Sequence, residues 1–418
     1  MREQDGYIAY SYRWVVLLLY IAIACTIQLM WATFFSVTTE AGQYYGFLDP
    51  VEGENAIGLL SLIFMIGMLA MSVPALAAFE KFGYKKSVGF GAVLTGAAAL
   101  ARGFGGDSYT AVLACTIIFA VAQPFVLNAV GLVAGKWFPA NERATANGLG
   151  ILSNFVGIII GLILTPVLIE GGMDFKQMLM LYGIVAAVIA VLFIIFTKEA
   201  PPTPASAEDE VPRSSFSEGI KSLMKKKDFV LGFFAFFCLL GVFNTFFTLI
   251  EPILRHFSSV EIDSTSIGLI GVITLATGIA GSVVIPIMSD KDKRRRRRPF
   301  MLLPNLIGLI GFGLFMMANG FNGFILAAVM YGLFSIGCCP VIMTYCAEIG
   351  YPASEGSSEG LLMFAGNIGG VVFLAIATAF GGNHSLSMGM LVGLMVLSFV
   401  MMVAMKERIS KTAQTDIA

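Results

Sequence analysis

Phe-Pro-Ala-Asn-Glu, residues 138–142, follows one long apolar run, and Tyr-Pro-Ala-Ser-Glu, residues 351–355, follows another 213 residues later. The same spacing continues beyond these two stretches. It relates Pro139 to Pro352, Asn154 to Asn367, and Gly157 to Gly370. A single spacing shared by proline, glutamate, asparagine and glycine indicates an internal duplication, so we predict a chain of two related halves.

The composition assigns both halves to a membrane. The 418 residues are 57% apolar and 13% charged, about half the roughly 25% charge of soluble domains, and the mean hydropathy is +0.84. These values exclude a water-soluble enzyme, a nucleic-acid binder and a disordered scaffold. Many apolar runs reach the roughly 20 residues that cross a bilayer as a helix. The first run, residues 14–38, is too long for a signal peptide and is predicted to be the first span.

The apolar runs predict twelve membrane spans, six in each half. Spans 1 to 6 cover residues 14–38, 56–79, 87–104, 109–135, 144–169 and 178–197, and spans 7 to 12 cover residues 229–253, 266–288, 300–319, 324–349, 357–380 and 388–405. The longest polar stretch lies between the two sets. We therefore predict an N-terminal half of residues 1–197, a cytoplasmic linker of residues 198–228 with a short helix at 215–226, and a C-terminal half of residues 229–418. Two parallel six-helix halves predict an all-α membrane protein of the major facilitator fold.

The basic residues predict the orientation. Of the 26 Lys and Arg residues, all except Arg102, Lys176 and Arg255 fall on the side of the N-terminus. Because positive charge is retained on the cytoplasmic side, we expect both termini to be cytoplasmic in a plasma or inner membrane. The arginine run at 294–298 lies in a short loop between two spans, where orientation and contact with the lipid bilayer explain it. We expect no nucleic-acid partner.

The loop at residues 79–86 resembles the loop between the second and third helices of major facilitators. Glu80 replaces the usual Asp and Lys81 the usual Arg, whereas Gly83 and Lys85 are kept. Asp290 follows span 8 as the counterpart of Glu80. These charges predict a gating cluster that breaks and re-forms as the halves rock, and the alternative is simple retention of positive charge on the inner side.

Several polar or aromatic side chains lie deep within the spans, where lipid cannot solvate them. They are Gln28 and Trp31 in span 1, Gln123 and Asn128 in span 4, Asn154 in span 5, Asn244 in span 7, Tyr345 in span 10 and Asn367 in span 11. We predict that they line a substrate cavity between the halves. The alternative, equally open for Asn154 and Asn367, is that they join helices by hydrogen bonds.

Two acidic residues fall within the spans. Glu251 in the last turn of span 7 is either a proton-coupling carboxylate or part of an outer gate with Arg102 or Arg255. Glu348, at the inner end of span 10, is assigned to coupling or to an ion pair with a basic residue. Both histidines, His256 and His384, fall in outer loops. Since no catalytic constellation or phosphate-binding loop is present, we expect no enzyme activity, no cofactor and no metal site.

The chain resembles the FLVCR-type branch of the major facilitators, in a short, prokaryote-like form. The resemblance rests on residues 12–19, 123–128, 137–139, 142–146, 347–356 and 360–362. This branch includes choline and ethanolamine carriers and a lysosomal proton-driven vitamin B6 carrier, to which residues 31–34 and 45–47 are closer.

The resemblance implies roles for individual residues. Gln123 matches the branch's glutamine in helix four, and Asn367 stands where the choline carriers have a glutamine in helix eleven. Trp31 corresponds to their helix-one tryptophan, and their helix-seven tyrosine falls at Phe243 or Asn244. An aromatic cage suits a quaternary ammonium, whereas Asn244 indicates a more polar ligand.

Together these features predict a transporter of a small-molecule substrate, cationic or zwitterionic, that works by rocker-switch alternating access. It would be a uniporter or a proton symporter, and we expect a monomer. The acidic outer side favours a cationic solute. An organic-anion carrier of the same fold is the first alternative, and the absence of a basic residue near the middle of any span argues against it. A non-transporting membrane receptor is the second.

Overall fold

The computed structural model describes residues 2–4, 7–203, 222–292, 296–350 and 355–406. Most of the predicted linker and of its short helix, the middle of the arginine run and residues 351–354 of the repeated motif lie outside these ranges. The chain divides into two compact units, Met1–Glu210 and Val211–Ala418.

The first unit begins with a small antiparallel hairpin and continues with helices. Strand β1 (Arg2–Gln4) pairs with β2 (Tyr7–Ala9), an element that the all-α prediction does not contain. The helices are α1 (Arg13–Ala32), α2 (Thr38–Tyr44), α3 (Pro50–Phe82), α4 (Tyr84–Phe104), α5 (Tyr109–Leu127), α6 (Val130–Trp137), α7 (Ala140–Glu170) and α8 (Phe175–Phe196). Helix α1 packs against α7, and α4 packs against α5 and α8.

The second unit is helical throughout its described part. Its helices are α9 (Lys227–Thr248), α10 (Ile250–Phe257), α11 (Ser264–Asp290), α12 (Arg298–Leu314), α13 (Phe321–Met330), α14 (Cys339–Gly350), α15 (Glu355–Ala379) and α16 (His384–Ala404), with a π-helical turn at Tyr331–Ile336 between α13 and α14. Helix α9 packs against α15 and α16. This pairing repeats the contact of α1 with α7.

The number of membrane helices agrees with the prediction. Within the described ranges, eleven helices are long and apolar enough to cross a bilayer, and Arg298–Leu314 is a shorter apolar helix in the place of the ninth span. That helix ends five residues before the predicted end of its span. The chain is therefore a multi-pass membrane protein.

Four of the spans predicted as continuous are interrupted among the described residues. The breaks follow Ala32 in span 1, Leu127 in span 4, Thr248 in span 7, and Met330 in span 10. Proline explains two of them because it lacks the N–H that bonds four residues back. Pro252 leaves the carbonyl of Thr248 without that bond, and Pro340 does the same for Ile336, the last residue of the π-helical turn.

In the other two interruptions, side chains form hydrogen bonds close to the break. In span 1, the hydroxyl of Thr33 donates to the carbonyl of Leu29, 2.8 Å away, and that of Ser36 donates to the carbonyl of Leu162 on α7. In span 4, Asn128 ends α5 four residues after Pro124 and donates its side-chain amide to Ser72. Side-chain bonds of this kind compete with the helical pattern.

In each half, a glycine allows close contact between the first long helix and the helix that packs against it. A Cβ on Gly157 of α7 would overlap the carbonyl oxygen of Cys25 on α1, and a Cβ on Gly369 of α15 would overlap that of Phe237 on α9. Gly369 follows Gly157 by 212 residues, and Phe237 follows Cys25 by the same number. The contact in the second half is therefore made by the residue just before Gly370, which is the sequence match of Gly157. Small residues let membrane helices approach closely, and the duplication has kept this contact.

We expect Gly157→Ala to destabilise the protein by about 1–3 kcal/mol, because the added methyl group is forced into the backbone of α1. Gly148→Ala is the matched control, since it makes the same change on the same helix where no atom lies within 4 Å of the new Cβ. Thermal unfolding of the purified proteins in detergent compares them. Equal melting temperatures for the two variants would refute the close contact.

Candidate functional site

Two of the predicted binding residues are buried on α1 without a hydrogen-bond partner. Gln28 is 7% and Trp31 8% exposed, and no described residue bonds to Oε1 of Gln28 or Nε1 of Trp31. The ring of Trp31 packs edge-on against Phe35 at a centroid distance of 5.1 Å. Leaving a buried polar group unpaired costs about 1–3 kcal/mol, so these atoms indicate a place for water or a ligand.

Gln123 and Asn154 have the same property in the same half. Gln123 on α5 is buried next to Pro124, and Asn154 on α7 is half-buried; Oε1 of the first and Oδ1 of the second have no partner among the described residues. Asn154 lies one turn before Gly157, whose added Cβ would meet the Cβ of Gln28. Gln28 and Asn154 therefore both border the contact between α1 and α7.

Three other predicted binding residues are engaged with the protein. Nδ2 of Asn128 donates to Ser72 at 3.3 Å, the hydroxyl of Tyr345 donates to the carbonyl of Lys406 at 2.7 Å, and Nδ2 of Asn367 donates to the carbonyl of Met363 at 2.9 Å on its own helix. These hydrogen bonds occupy polar groups of the three side chains within the protein. They are weaker candidates for binding than the four residues with unpaired atoms.

In the second half, Phe243 and Asn244 are buried near the C-terminal end of α9. The ring of Phe243 packs against Phe247 with centroids 4.7 Å apart. An aromatic pair beside an amide is suited to a ligand with both an apolar cationic part and a polar part.

Glu251 lies on the short helix α10, not in the last turn of a continuous span. Its side chain is fully buried and paired with Arg255 one turn later. Arg255 also donates to the hydroxyl of Ser264, 2.9 Å away at the start of α11. The pair thus fastens α10 to α11, an arrangement that agrees with the gate alternative for Glu251.

Arg102 lies in the last turn of α4 and is buried inside the first half, at 1% exposure. Its guanidinium contacts the carbonyl oxygen of Met30, the hydroxyl of Thr33 and the face of the Phe119 ring, whose centroid is 4.9 Å away. Met30 is 100° or more around α1 from Gln28 and Trp31. The buried cation therefore lies on a different face of α1 from the unpaired atoms of Gln28 and Trp31.

The loop between α3 and α4 is held by a carboxylate that the sequence analysis missed. Glu199, just beyond α8, accepts hydrogen bonds from the backbone N–H groups of Tyr84 at 2.9 Å and Lys85 at 2.7 Å, and it is paired with Lys136. Gly83 has a φ of +82°, and a Cβ there would lie 2.5 Å from the carboxylate. Glu199 thus caps the N-terminus of α4.

The residues that the sequence predicted for this loop, Glu80, Lys81 and Lys85, make fewer contacts than Glu199. Glu80 and Lys81 are exposed, and the ammonium of Lys81 lies over the ring of Phe82. Lys85 contributes its backbone N–H. Burial alone would raise the pKa of Glu199, but the bonds from Lys136, Lys85 and Tyr84 outweigh it and lower that pKa below its ordinary value. The only sequence signal was a single acidic residue directly after a span.

In the second half, Arg297 joins the ends of three helices. It is paired with Asp290 at the end of α11 and, at 3.0 Å, with Glu348 on α14, and it donates to Ser289 at 3.1 Å. Burial lowers the pKa of Arg297, and the two carboxylates more than offset this and raise it. Glu348 therefore forms an ion pair with a basic residue, one of the two roles that the sequence left open.

Known proteins resemble this chain over most of its length. Residues 16–374 match the family described as "Major Facilitator Superfamily". The chain is 27% identical over 385 residues to "Solute carrier family 49 member A3" of Danio rerio, over 88% of this chain and 79% of that protein. It is 28% identical over 379 residues to "Choline/ethanolamine transporter FLVCR2" of Homo sapiens, over 86% of this chain and 70% of that protein.

The fold is similar to that of a bacterial homologue of the human lysosomal transporter Spinster. The TM-score is 0.73 at 15% sequence identity, and the match covers 95% of this chain and 96% of that one. At this identity the likeness concerns the fold alone.

We expect Glu199→Gln to lower the stability at pH 7 by about 1 kcal/mol, the usual effect of losing a helix cap. The lowered pKa of Glu199 means that its ionised form stabilises the folded protein fully above the ordinary value of 4.5. That contribution disappears as the pH falls through the lower folded value. Melting temperatures of wild type and variant should therefore converge in acid.

The control is Glu80→Gln, which makes the same change on the exposed face of the neighbouring turn. Its melting temperature should follow that of the wild type at every pH. A Glu80→Gln variant as unstable as Glu199→Gln would contradict the capping role.

Proposed function

Because the chain belongs to the Major Facilitator Superfamily, we propose that it is a secondary transporter that moves a small organic cation or zwitterion by rocker-switch alternating access. The family and its relatives establish the coarser part: the chain is a membrane transporter of all-α major facilitator fold and not an enzyme. The resemblance to the FLVCR-type branch is likewise confirmed by those relatives.

The observation that carries the proposal is the position of the helix interruptions. In each half, the interrupted spans hold most of the predicted binding residues: Gln28, Trp31, Gln123 and Asn128 in the first, and Phe243, Asn244 and Tyr345 in the second. Discontinuous membrane helices in transporters form substrate sites, since irregular backbone at membrane depth persists only within protein or along a cavity. Asn154 and Asn367 lie on the continuous helices α7 and α15, which pack against α1 and α9.

The substrate class follows from the kinds of atoms that these residues offer. Among the described residues, the amide oxygens of Gln28, Gln123 and Asn154 have no partner, and such oxygens accept hydrogen bonds from an ammonium or hydroxyl group. Trp31 and Phe243 offer ring faces that attract a cation. The relatives named as choline/ethanolamine transporters make a small amino alcohol the first substrate to test.

Arg102 favours the second candidate, an organic-anion carrier. A buried guanidinium is the basic group that such a carrier requires. Because Arg102 contacts a different face of α1 from Gln28 and Trp31, we assign it to the interior of the first half and keep the cation as the leading substrate.

The proposal includes the predicted arrangement of the chain in the membrane. It takes both termini as cytoplasmic, residues 198–228 as the linker between halves 1–197 and 229–418, and the monomer as the working unit. Glu80, Lys81 and Lys85 remain proposed gating residues of the first half. Asp290 and Glu348, through Arg297, are proposed for the second, and protons remain the coupling ion to test.

We expect choline or ethanolamine to raise the melting temperature of the purified protein, whereas succinate does not, because a ligand that binds the folded state stabilises it. Gln123→Leu replaces the amide acceptor with an apolar side chain of similar volume. It should lower the affinity for choline or ethanolamine at least about tenfold, the effect of losing a hydrogen bond to a charged group. The control Gln43→Leu makes the same change at an exposed position. Stabilisation by succinate alone would favour the anion carrier.

For Glu251 we propose an outer gate made with Arg255. Glu251→Gln should then lower the melting temperature and the uptake rate but leave the shape of the pH profile of uptake unchanged, because the paired carboxylate is not a proton carrier. Glu261→Gln, an exposed acidic residue of the same region, is the control. A profile flattened only in Glu251→Gln would assign this residue to proton coupling.

A further inference from the structure

The two histidines of the chain lie side by side. His256 stands near the end of α10 and His384 at the start of α16, 128 residues later, and the chain has no other histidine. Their ring centroids are 5.6 Å apart and their planes are inclined by 65°. His256 is exposed and His384 half-buried, so the space beside the rings can be reached from solvent.

The spacing of the rings suits a shared metal ion. Zn–N bonds of about 2.0–2.1 Å and a tetrahedral angle place the centroids of two ligating imidazoles about 5 Å apart. Nε2 of His256 forms a hydrogen bond with the hydroxyl of Ser385 at 2.8 Å, which places this nitrogen on the side of α16.

The surroundings limit the strength of such a site. No group of three or more His, Cys, Asp or Glu that could hold a metal occurs in the described part of the chain, so water would fill the other positions. The nearest cation on the same helix, Arg255, is paired with Glu251 and bonded to Ser264. Two neutral imidazoles with water favour late first-row divalent ions, bound weakly and reversibly.

We propose that His256 and His384 form a binding site for a divalent transition-metal ion, Zn²⁺ first, that joins α10 to α16. The ion is bound by one nitrogen of each ring. Because the two ligands come from helices that already pack against each other, binding stabilises the folded protein. The proposal does not depend on the substrate or on the direction of transport.

The first test is a Zn²⁺ titration of the purified full-length protein, followed by calorimetry and thermal unfolding. Zn²⁺ should raise the melting temperature, and His256→Phe and His384→Phe, which keep an aromatic ring, should each lower the Zn²⁺ affinity at least tenfold. Ser385→Ala should bind Zn²⁺ at least as tightly as wild type, since its hydroxyl competes for Nε2. Weaker binding by Ser385→Ala, or unchanged binding in either Phe variant, would overturn the two-imidazole site.

The second test counts the nitrogen ligands. Cu²⁺ bound to wild type should show electron paramagnetic resonance coupling to two imidazole nitrogens, and to one in each Phe variant. Cys25→Ser and Cys339→Ser test whether a half-buried thiol binds the metal instead. Both variants should leave the Zn²⁺ affinity and the Cu²⁺ spectrum unchanged. A single nitrogen in wild type, or loss of binding in the cysteine variants, would refute the proposal.

Discussion

The peptide group within a bilayer has no water to bond to, and the rest of this structure depends on that constraint. Helices satisfy their own N–H and C=O groups, so the described membrane part of the chain is helical. Every interruption then needs a local partner or a wet surface. Thr33 and Ser36 supply hydroxyl bonds after α1, whereas Pro252 and Pro340 leave carbonyls of Thr248 and Ile336 without a helical partner. The constraint therefore connects the breaks in the helices with the proposed binding residues.

The lipid that surrounds the helices also explains why glycine is important for their packing. Lipid tails are as apolar as leucine, so helices gain little by excluding them and must associate through close contact. Gly157 against Cys25 and Gly369 against Phe237 are two copies of one such contact. A close contact tolerates no Cβ, which explains why a glycine occupies this place in both halves.

Hydropathy predicted the number and order of the spans because a helix that crosses a bilayer needs a continuous run of apolar residues, which can be read directly from the sequence. The breaks in spans 1, 4, 7 and 10 were not predicted, since apolar residues continue through them. The burial of Arg102 was not predicted because this residue lies two residues before the end of α4, where a long side chain can extend either into water or into the bundle. Glu199 was missed because its partners Tyr84 and Lys85 are more than a hundred residues away in sequence.

The two halves also differ in the charged clusters that precede α4 and α12. In the first half, a carboxylate, Glu199, is surrounded by Lys136 and the amides that begin α4. In the second, a guanidinium, Arg297, begins α12 and is surrounded by Asp290 and Glu348. Both clusters lie at the start of the third membrane span of their half, α4 or α12, but their central charges are opposite. A charged cluster therefore recurs at this place in both halves, whereas the sign of its central charge does not.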